Sequence, residues 1–293
     1  MPESVPARPA REAAALRLAL MSTADTQPQP TPAWSDGELA GNPHAHGDKP
    51  VKVRRMFAAI ARSYDLNNRL HSFGRDVAWR RAAVRLAGVT PGEDVLDVAC
   101  GTGDLTRAFC DTPARRVVGL DFTPEMLDIA CHKCGVPRGL RSNEAPAARR
   151  GGPGPVSPEF LDGDATNLPF EDGSFDVVSI AFGIRNVGDT ARALAEFRRV
   201  LRPGGRVVIL EFDRPRNPLI AWANDVYTSK VMPWSATLIS RDSSGAYRYL
   251  PKSIETFLTR EQMAAALEKA GFSVMTQRPM TFGVCVCSVG VRA

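Results

Sequence analysis

The sequence predicts an α/β fold, a doubly wound and mostly parallel seven-stranded sheet with an antiparallel hairpin at its C-terminal edge. Short apolar runs of strand length alternate with segments of helical periodicity between about residues 95 and 212. Such alternation is typical of a parallel sheet with helices on both faces. Two further apolar runs, 272–277 and 284–289, follow each other closely, which indicates the closing hairpin.

The element boundaries follow from local signals. Strands are expected at 95–98, 116–120, 160–161, 175–181, 206–212, 272–277 and 284–289. Thr123 followed by Pro124 begins a helix, because a hydroxyl N-cap and a proline at the first helical position favour that conformation. Asp189 caps another helix, and Thr259 to Gln262 forms a capping box.

Three segments fall outside the alternating pattern. Residues 1–48 are rich in proline and small polar residues with little apolar periodicity, and are predicted to be a disordered tail before a 49–293 domain. Residues 136–158 are rich in proline, glycine and arginine and are predicted to be an inserted surface loop. Segments 49–90 and 213–258 mix aromatic and polar residues and are expected to cover the active-site face.

Composition excludes several classes of protein. The net charge of +5 is weak and scattered, and basic residues do not alternate with aromatic ones, so no nucleic-acid partner is expected. No apolar run approaches the ~18 residues that span a bilayer. The six cysteines are expected to be reduced in a cytoplasmic protein. Cys131 and Cys134 resemble half of a zinc site, but no second pair follows at finger spacing, so no metal is predicted.

The turn after the first strand is the candidate ligand cradle. Gly101-Thr102-Gly103 allows close backbone approach, and Asp97 within the apolar strand needs a partner when buried. A dinucleotide is disfavoured, because Thr106 replaces the third glycine of G-x-G-x-x-G and Asp104 would repel a pyrophosphate. S-adenosylmethionine (SAM) carries an ammonium and a sulfonium, which suit acids in the strand and at the helix start. A glycine turn without a ligand remains the alternative.

Two more acids occupy the ends of neighbouring strands. Asp121 ends the second strand and is expected to accept hydrogen bonds from both ribose hydroxyls of a nucleoside. Asp164 follows the third strand, where an adenine amino group could be recognised. Both fit a nucleoside bound at the carboxyl edge of the sheet.

The motifs together resemble the ubiquinone/menaquinone biosynthesis C-methyltransferase family, which is a class I SAM-dependent methyltransferase family with a Rossmann-like fold. The resemblance extends from about residue 53 to 290. It is carried by Tyr64-Asp65-Leu66-Asn67 with Trp79-Arg80, by Phe182-Gly183-Ile184-Arg185-Asn186-Val187, and by Tyr247-Arg248-Tyr249-Leu250-Pro251. The glycine turn departs from the family at Ala99, where glycine is usual.

The resemblance implies a site and a reaction. The implied SAM contacts are Asp97, Gly101, Thr102, Gly103, Asp121, Asp164 and Ala165. Tyr64, Arg185 and Asn186 would line the acceptor pocket and act in catalysis, with no metal. The implied reaction is methylation of a ring carbon of a polyprenylated quinol, either demethylmenaquinol or the 2-methoxy-6-polyprenyl-benzoquinol of ubiquinone synthesis.

Alternatives stay open from the residues alone. The acceptor could be another small aromatic or lipid molecule, or the chain could be a non-catalytic member of a quinone-synthesis assembly. Arg185 could be a structural ion-pair residue and Tyr64 a core aromatic. A water held by Arg185, Tyr64 or His71 is the expected base, because arginine is too weakly acidic. Contact with a membrane surface at the inner membrane and a homodimer are also left open.

Overall fold

The computed structural model describes residues 32–139, 156–232 and 245–293. Residues 1–31 of the predicted tail and 140–155 of the predicted insertion lie outside these ranges. The described helices are α1 (Asp36–Ala40), α2 (Lys49–His71), α3 (Arg75–Ala87), α4 (Asp104–Cys110), α5 (Pro124–Cys134), α6 (Thr190–Val200), α7 (Pro218–Val226), α8 (Ala246–Glu255) and α9 (Arg260–Lys269). The strands are β1 (Asp94–Val98), β2 (Arg116–Asp121), β3 (Glu159–Asp162), β4 (Phe175–Ala181), β5 (Leu201–Phe212), β6 (Phe272–Met280) and β7 (Cys285–Arg292).

The seven strands form one sheet in the order β3-β2-β1-β4-β5-β7-β6. The five strands from β3 to β5 pair in parallel, whereas β7 pairs antiparallel with both β5 and β6. The predicted fold class is therefore confirmed, including the hairpin at the C-terminal edge. The strand order reverses between β1 and β4, and open α/β sheets bind ligands at such a point.

Most predicted boundaries agree with the structure, and the differences in β5 and β6 have local causes. Leu201 of β5 already pairs with Phe175, and the expected turn 202–205 is an irregularity before the pairing of Val177 with Arg206. Strand β6 continues to Met280, beyond the predicted end, because its pairing with β7 is interrupted only by a register shift near Val274.

The alternation of side chains along β1 decides which groups reach each face of the sheet. Leu96 and Val98 belong to a buried cluster that includes residues of α6 and α9. Val95 belongs to the cluster on the opposite face, which includes residues of α3 and α4. Because side chains alternate in a strand, Asp97 shares the face of Val95, against α4.

The N-terminal tail is not disordered as far as residue 48, so that prediction is wrong for residues 32–48. Trp34 is fully buried and stacks on Tyr249 of α8, with ring centroids 5.0 Å apart. Ser35 and Glu38 form a capping box for α1, and His44 bonds the backbone oxygen of Ser253 over 2.9 Å. One large aromatic side chain supplies enough apolar surface to order a segment whose average composition is polar.

Among the described residues, no helix is long and apolar enough to cross a membrane. The basic insertion is described only at its two ends. Arg138 pairs with Asp128 of α5 and with Asp162 of β3. These ion pairs tie the start of the predicted surface loop to α5 and β3.

Candidate functional site

The glycine turn and the end of β4 meet at the switch point. Ala99 has a φ of 51°, Gly101 of 55° and Gly103 of 80°, so three residues of this turn adopt the left-handed region. The Cβ of Ala99 makes this left-handed conformation unfavourable, whereas the glycine that is usual in the family would adopt it without strain. A Cβ placed on Gly183, which follows β4, would lie 2.7 Å from the Cβ of Ala99.

Gly183→Ala is therefore expected to cost about 1–3 kcal/mol in the free energy of unfolding, because the new methyl overpacks the contact. Ala99→Gly should recover part of that cost in the double variant, since it removes the methyl that clashes. Urea unfolding of the wild type, both single variants and the double variant measures the coupling. Strictly additive effects would contradict the contact.

Asp97 is buried beneath the turn, and the protein itself supplies the partners that the sequence argument sought in a ligand. Thr106 of α4 donates to Oδ2 over 2.6 Å and Ser179 of β4 donates to Oδ1 over 2.8 Å. The register that pairs Asp97 with Ser179 places that hydroxyl beside the carboxylate. Burial still raises the pKa of Asp97 to about 6, because two hydroxyls compensate a buried charge only in part.

Asp121, at the end of β2, joins the turn to the next helix. Its Oδ2 accepts the Gly101 N–H over 2.8 Å, and its Oδ1 accepts the Thr123 N–H over 2.8 Å. Burial raises the pKa of Asp121 despite these two bonds. Each carboxylate oxygen has a second lone pair, so acceptor capacity remains for hydroxyl groups of a ligand.

Helix α2 lies over the turn, and a lysine of α5 pairs with an acid at the start of α4 that was expected to face a ligand cation. Thr102 donates to Asp65 over 2.5 Å, and Lys133 of α5 donates to Asp65 over 2.8 Å and to Asp104 over 2.5 Å. Gly103, rather than Asp104, is the N-cap of α4. Lys133 therefore already neutralises Asp104, which was expected to be available to a bound cation.

The other expected cofactor residues lie just past β3. Asp164 is exposed and accepts the Thr166 N–H over 2.8 Å in a tight turn, whereas Ala165 is buried in the core. The backbone of Gly163 donates to Asp121 O over 3.0 Å, which ties this loop to the end of β2. Asp164 and Asp121 are thus at the same carboxyl edge, as predicted from the strand order.

A cavity of about 450 Å³ lies beside the turn. Its lining is mostly apolar and comes from α2, α3, the ends of β4 and β5, α7, α8 and the loop between β6 and β7. Residues 49–90 and the described parts of segment 213–258, namely 213–232 and 245–258, supply most of that lining, and residues 233–244 lie outside the described ranges. The site residues Tyr64 and Arg185 line the cavity, and Asn186 is not among the lining residues.

Arg185 follows β4 in a short 3₁₀ turn and is 5% exposed. Its Nη1 donates to Glu211 Oε1 over 2.6 Å and to Phe182 O over 2.8 Å, and its guanidinium lies 5.2 Å from the centre of the Phe212 ring. Among the described residues, its buried Nε has no hydrogen-bond partner. Arg185 is therefore an ion-pair residue of the cavity wall, and its buried Nε is a donor without a partner among the described residues.

Asn186 lies behind the wall rather than on it. Its amide nitrogen donates to Phe182 O over 3.2 Å, and its Oδ1 accepts the Tyr249 hydroxyl over 3.0 Å. Phe182 has a φ of 57°, so two side chains hold a strained backbone carbonyl in place. Asn186 was expected to line the pocket, but it is not among the residues that line this cavity, and both ends of its amide are bonded to these partners. It positions the turn that carries Arg185.

Tyr64 lies between the glycine turn and the cavity. Its ring carbon Cε1 is 4.0 Å from the position of a Cβ on Gly101, and its ring packs edge-on against Phe57 at 5.9 Å. Burial raises the pKa of Tyr64, which keeps its hydroxyl protonated. His71 also lines the cavity, and its Nδ1 bonds Asn67 O over 2.8 Å.

Several residues that shape the site were missed from the sequence. Glu211 ends an apolar strand as Asp97 does, and that signal could have identified it. Lys49 is 3% exposed and donates to Val187 O over 2.7 Å, next to the turn that carries Arg185. Burial and the charge of Arg185 lower the pKa of Lys49 to about 8. Tyr249, which belongs to the third motif, had no assigned role.

Solved structures of known proteins share the fold. A SAM-dependent methyltransferase of Thermotoga maritima, titled a possible histamine N-methyltransferase, matches 82% of this chain and 100% of its own with a TM-score of 0.54 at 18% identity. The [4+2]-cyclase SpnF matches 82% of this chain and 95% of its own with a TM-score of 0.55 at 14% identity. Since one neighbour is named a cyclase, the fold alone does not fix the reaction.

Relatives of much higher identity cover nearly the whole described unit. A demethylmenaquinone methyltransferase of Thermus thermophilus is 46% identical over 238 residues, which are 81% of this chain and all of the relative. The protein of the same name from Deinococcus radiodurans is 41% identical over 83% of this chain and 93% of its own. A ubiquinone/menaquinone biosynthesis C-methyltransferase of Hahella chejuensis is 39% identical over 84% of this chain and 93% of its own.

The family model for ubiE/COQ5 methyltransferases matches residues 45–292, which include the glycine turn, the Arg185 turn and every segment that lines the cavity. The sheet order, the two buried acids at the switch point and the relatives agree with this match. The chain therefore belongs to the ubiE/COQ5 methyltransferase family.

Proposed function

We propose that the protein transfers a methyl group from SAM to a ring carbon of a polyprenylated quinol. The observation that carries the proposal is the apolar cavity whose wall holds Arg185 and Tyr64 directly beside the glycine turn. Demethylmenaquinol is the favoured acceptor, because the two relatives named for it are the more identical of those described above. The benzoquinol precursor of ubiquinone is the second candidate.

The residues of the turn fit SAM. Asp97 and Asp121 are buried carboxylates with raised pKa values, and among the described residues neither has a lysine or arginine within ion-pair distance. A ligand with cationic and hydroxyl groups at this edge of the sheet would compensate the unfavourable burial of these two negative charges. In our proposal Asp97 and Gly101 to Gly103 hold the methionine part, Asp121 holds the ribose, and Asp164 with Ala165 holds the adenine.

The chemistry requires a nucleophilic ring carbon and an aligned electrophile. Bound SAM would supply an electrophilic methyl carbon on its sulfonium. A quinol carbon becomes strongly nucleophilic when the adjacent hydroxyl loses its proton, and the cation Arg185 would stabilise the resulting oxyanion. Orientation of the two reactants by Tyr64 and the apolar walls can supply ~7–11 kcal/mol of the barrier.

The proton of the quinol needs an acceptor. Arg185 is always protonated, and the raised pKa of Tyr64 makes that hydroxyl a donor rather than a base. We assign the role to a water in the cavity near Arg185 and His71. Lys49 and Arg185 carry two positive charges, whereas Glu211 carries one negative charge. The surplus positive charge favours the quinolate anion that forms when the water takes the proton of the quinol.

The affinity for SAM is expected to fall as the pH drops through about 6. Protonation of Asp97 removes the negative charge that attracts the cationic ligand, so binding at pH 5 should be about tenfold weaker than at pH 7.5. Asp97→Asn should bind weakly at both pH values and lose most of this dependence. Calorimetric titration measures it, and a flat wild-type profile would remove Asp97 from the cationic end of the site.

We further propose that the rim of the cavity contacts a membrane surface, from which a polyprenylated substrate would enter. Phe73 and Phe282 are about 80% exposed, and Phe73 lines the cavity together with exposed Arg75. An exposed arginine beside exposed aromatic side chains suits an anionic bilayer.

Phe73→Ser/Phe282→Ser is expected to lower binding to phosphatidylglycerol-containing vesicles at least about tenfold, since burial of one such ring contributes about 1.5–3 kcal/mol. Met275→Ser is the matched control, because Met275 is exposed on β6 and does not line the cavity. Sedimentation with vesicles measures the binding. Equal loss in the control would contradict a specific rim.

Complementation tests the proposed function. The chain should restore menaquinone in a bacterial strain that accumulates demethylmenaquinone, as measured by lipid extraction and mass spectrometry. Rescue of ubiquinone alone would identify the benzoquinol as the acceptor. If neither quinone is restored although the purified chain binds SAM, the acceptor is another aromatic or lipid molecule. If SAM is not bound, the non-catalytic alternative holds.

A further inference from the structure

Arg80 of α3 is a buried cation of the cavity wall to which the proposed function gives no role. It is 9% exposed, and its guanidinium lies 5.6 Å from the centre of the Phe182 ring. Its Nη1 donates to Asp76 Oδ2 over 2.7 Å. Among the described residues this is its one hydrogen bond, so Nε and Nη2 are left as donors at the cavity that Arg80 lines. A buried guanidinium with unused donors indicates a missing acceptor.

Ion pairs connect Arg80 to the glycine-turn side of the cavity. Asp76, which accepts the hydrogen bond of Arg80, lies 3.5 Å from Arg69, and Arg69 lies 3.8 Å from Asp104 at the start of α4. The charge of Arg80 also opposes the rise that burial causes in the pKa of Asp97. Arg80 therefore lies near the start of α4, at the end of the site proposed for the methionine part of SAM.

The methionine end of SAM carries a carboxylate in addition to its two cationic groups, and the acids of the turn would repel it. Other cations near the turn are committed. Lys133 donates to Asp65, Asp104 and Thr102. Arg69 is nearly half exposed and lies within 4.0 Å of Asp76 and Asp104.

We propose that Arg80 binds the carboxylate of SAM through the donors that Asp76 leaves unused. Asp76 holds the guanidinium in place, since its other oxygen accepts the Ser72 hydroxyl over 2.9 Å. The planar fork of arginine suits a carboxylate. This inference rests on the proposed use of SAM, and it adds a cofactor residue from outside the glycine turn.

The test compares calorimetric binding of SAM with that of decarboxylated SAM, which lacks the proposed partner of Arg80. The wild type is expected to bind decarboxylated SAM about 10- to 100-fold more weakly. Arg80→Gln/Asp76→Asn removes both charges, so that no buried acid is left unpaired. It should bind SAM about 10- to 100-fold more weakly than the wild type and should not discriminate between the two compounds.

Arg81→Gln is the control for the loss of an arginine from the same helix, because Arg81 is the exposed neighbour of Arg80. It should retain both affinities within about twofold. A folded double variant that still discriminates fully between the two compounds would overturn the role of Arg80. A rise in KM for the quinol with unchanged SAM affinity would also overturn it, and would place Arg80 at the acceptor. A wild type that binds neither compound would instead overturn the use of SAM itself.

Discussion

The double variant Arg185→Gln/Glu211→Gln is expected to bind SAM within about twofold of the wild type and to lose turnover by roughly 10²–10³. Arg185 would stabilise charge that develops only as the quinol loses its proton, so its removal affects the transition state more than binding. Both charges are removed together because Arg185→Ala alone would leave Glu211, 4% exposed, as an unpaired buried carboxylate. Such a break costs about 3–5 kcal/mol and would confuse stability with chemistry.

Melting temperature and single-turnover rate on the same preparation separate the two roles of Arg185. Glu211→Gln is the matched control, since it keeps the cation and an amide oxygen that can still accept its hydrogen bond. It should retain much more activity than the double variant. A stable double variant with the wild-type single-turnover rate would reduce Arg185 to a structural ion-pair residue.

Trp34→Ala is expected to lower the free energy of unfolding by about 3–5 kcal/mol, as for other large aromatic side chains removed from a core. Trp34 is 0% exposed and stacks on Tyr249, whose hydroxyl bonds Asn186 behind the Arg185 turn. The variant should therefore also lower turnover. Urea unfolding measures this loss of stability as a lower midpoint concentration of urea, with an unchanged dependence of the free energy on urea concentration.

Trp222→Ala is the control for this prediction, because it deletes the same side chain from a position that is 64% exposed. Its stability should stay within about 0.5 kcal/mol of the wild type. Equal stability of the two variants would show that the segment around Trp34 contributes little to the folded state. The family match begins at residue 45, so Trp34 lies before the matched region.

The fold could be predicted because its signals are local. Apolar runs such as 175–181 and caps such as Asp189 need no knowledge of distant residues, and both agree with the structure. The N-terminal segment could not be predicted in the same way. Its polar composition indicates disorder, and only the position of Tyr249, far along the chain, explains why Trp34 is buried.

The position of the candidate site could be predicted from the sequence, but the hydrogen-bond and ion-pair partners of its residues could not. Strand order brings Asp97 and Asp121 to one edge, since both end neighbouring parallel strands. The partners of Asp97 and Arg185 come from other strands and helices, and no spacing in the sequence specifies them. A buried acid can therefore be found from a sequence, whereas the protein groups that hydrogen-bond to it cannot.

The central claim is methyl transfer to a quinol ring carbon, and one measurement tests it most directly. The purified protein is incubated with demethylmenaquinol and SAM that carries a deuterated methyl group, and the product is analysed by mass spectrometry. We predict one deuterated methyl on the quinol ring for each S-adenosylhomocysteine formed. The claim is contradicted if the folded protein binds SAM yet transfers no label to demethylmenaquinol or to the benzoquinol precursor, or transfers it to oxygen.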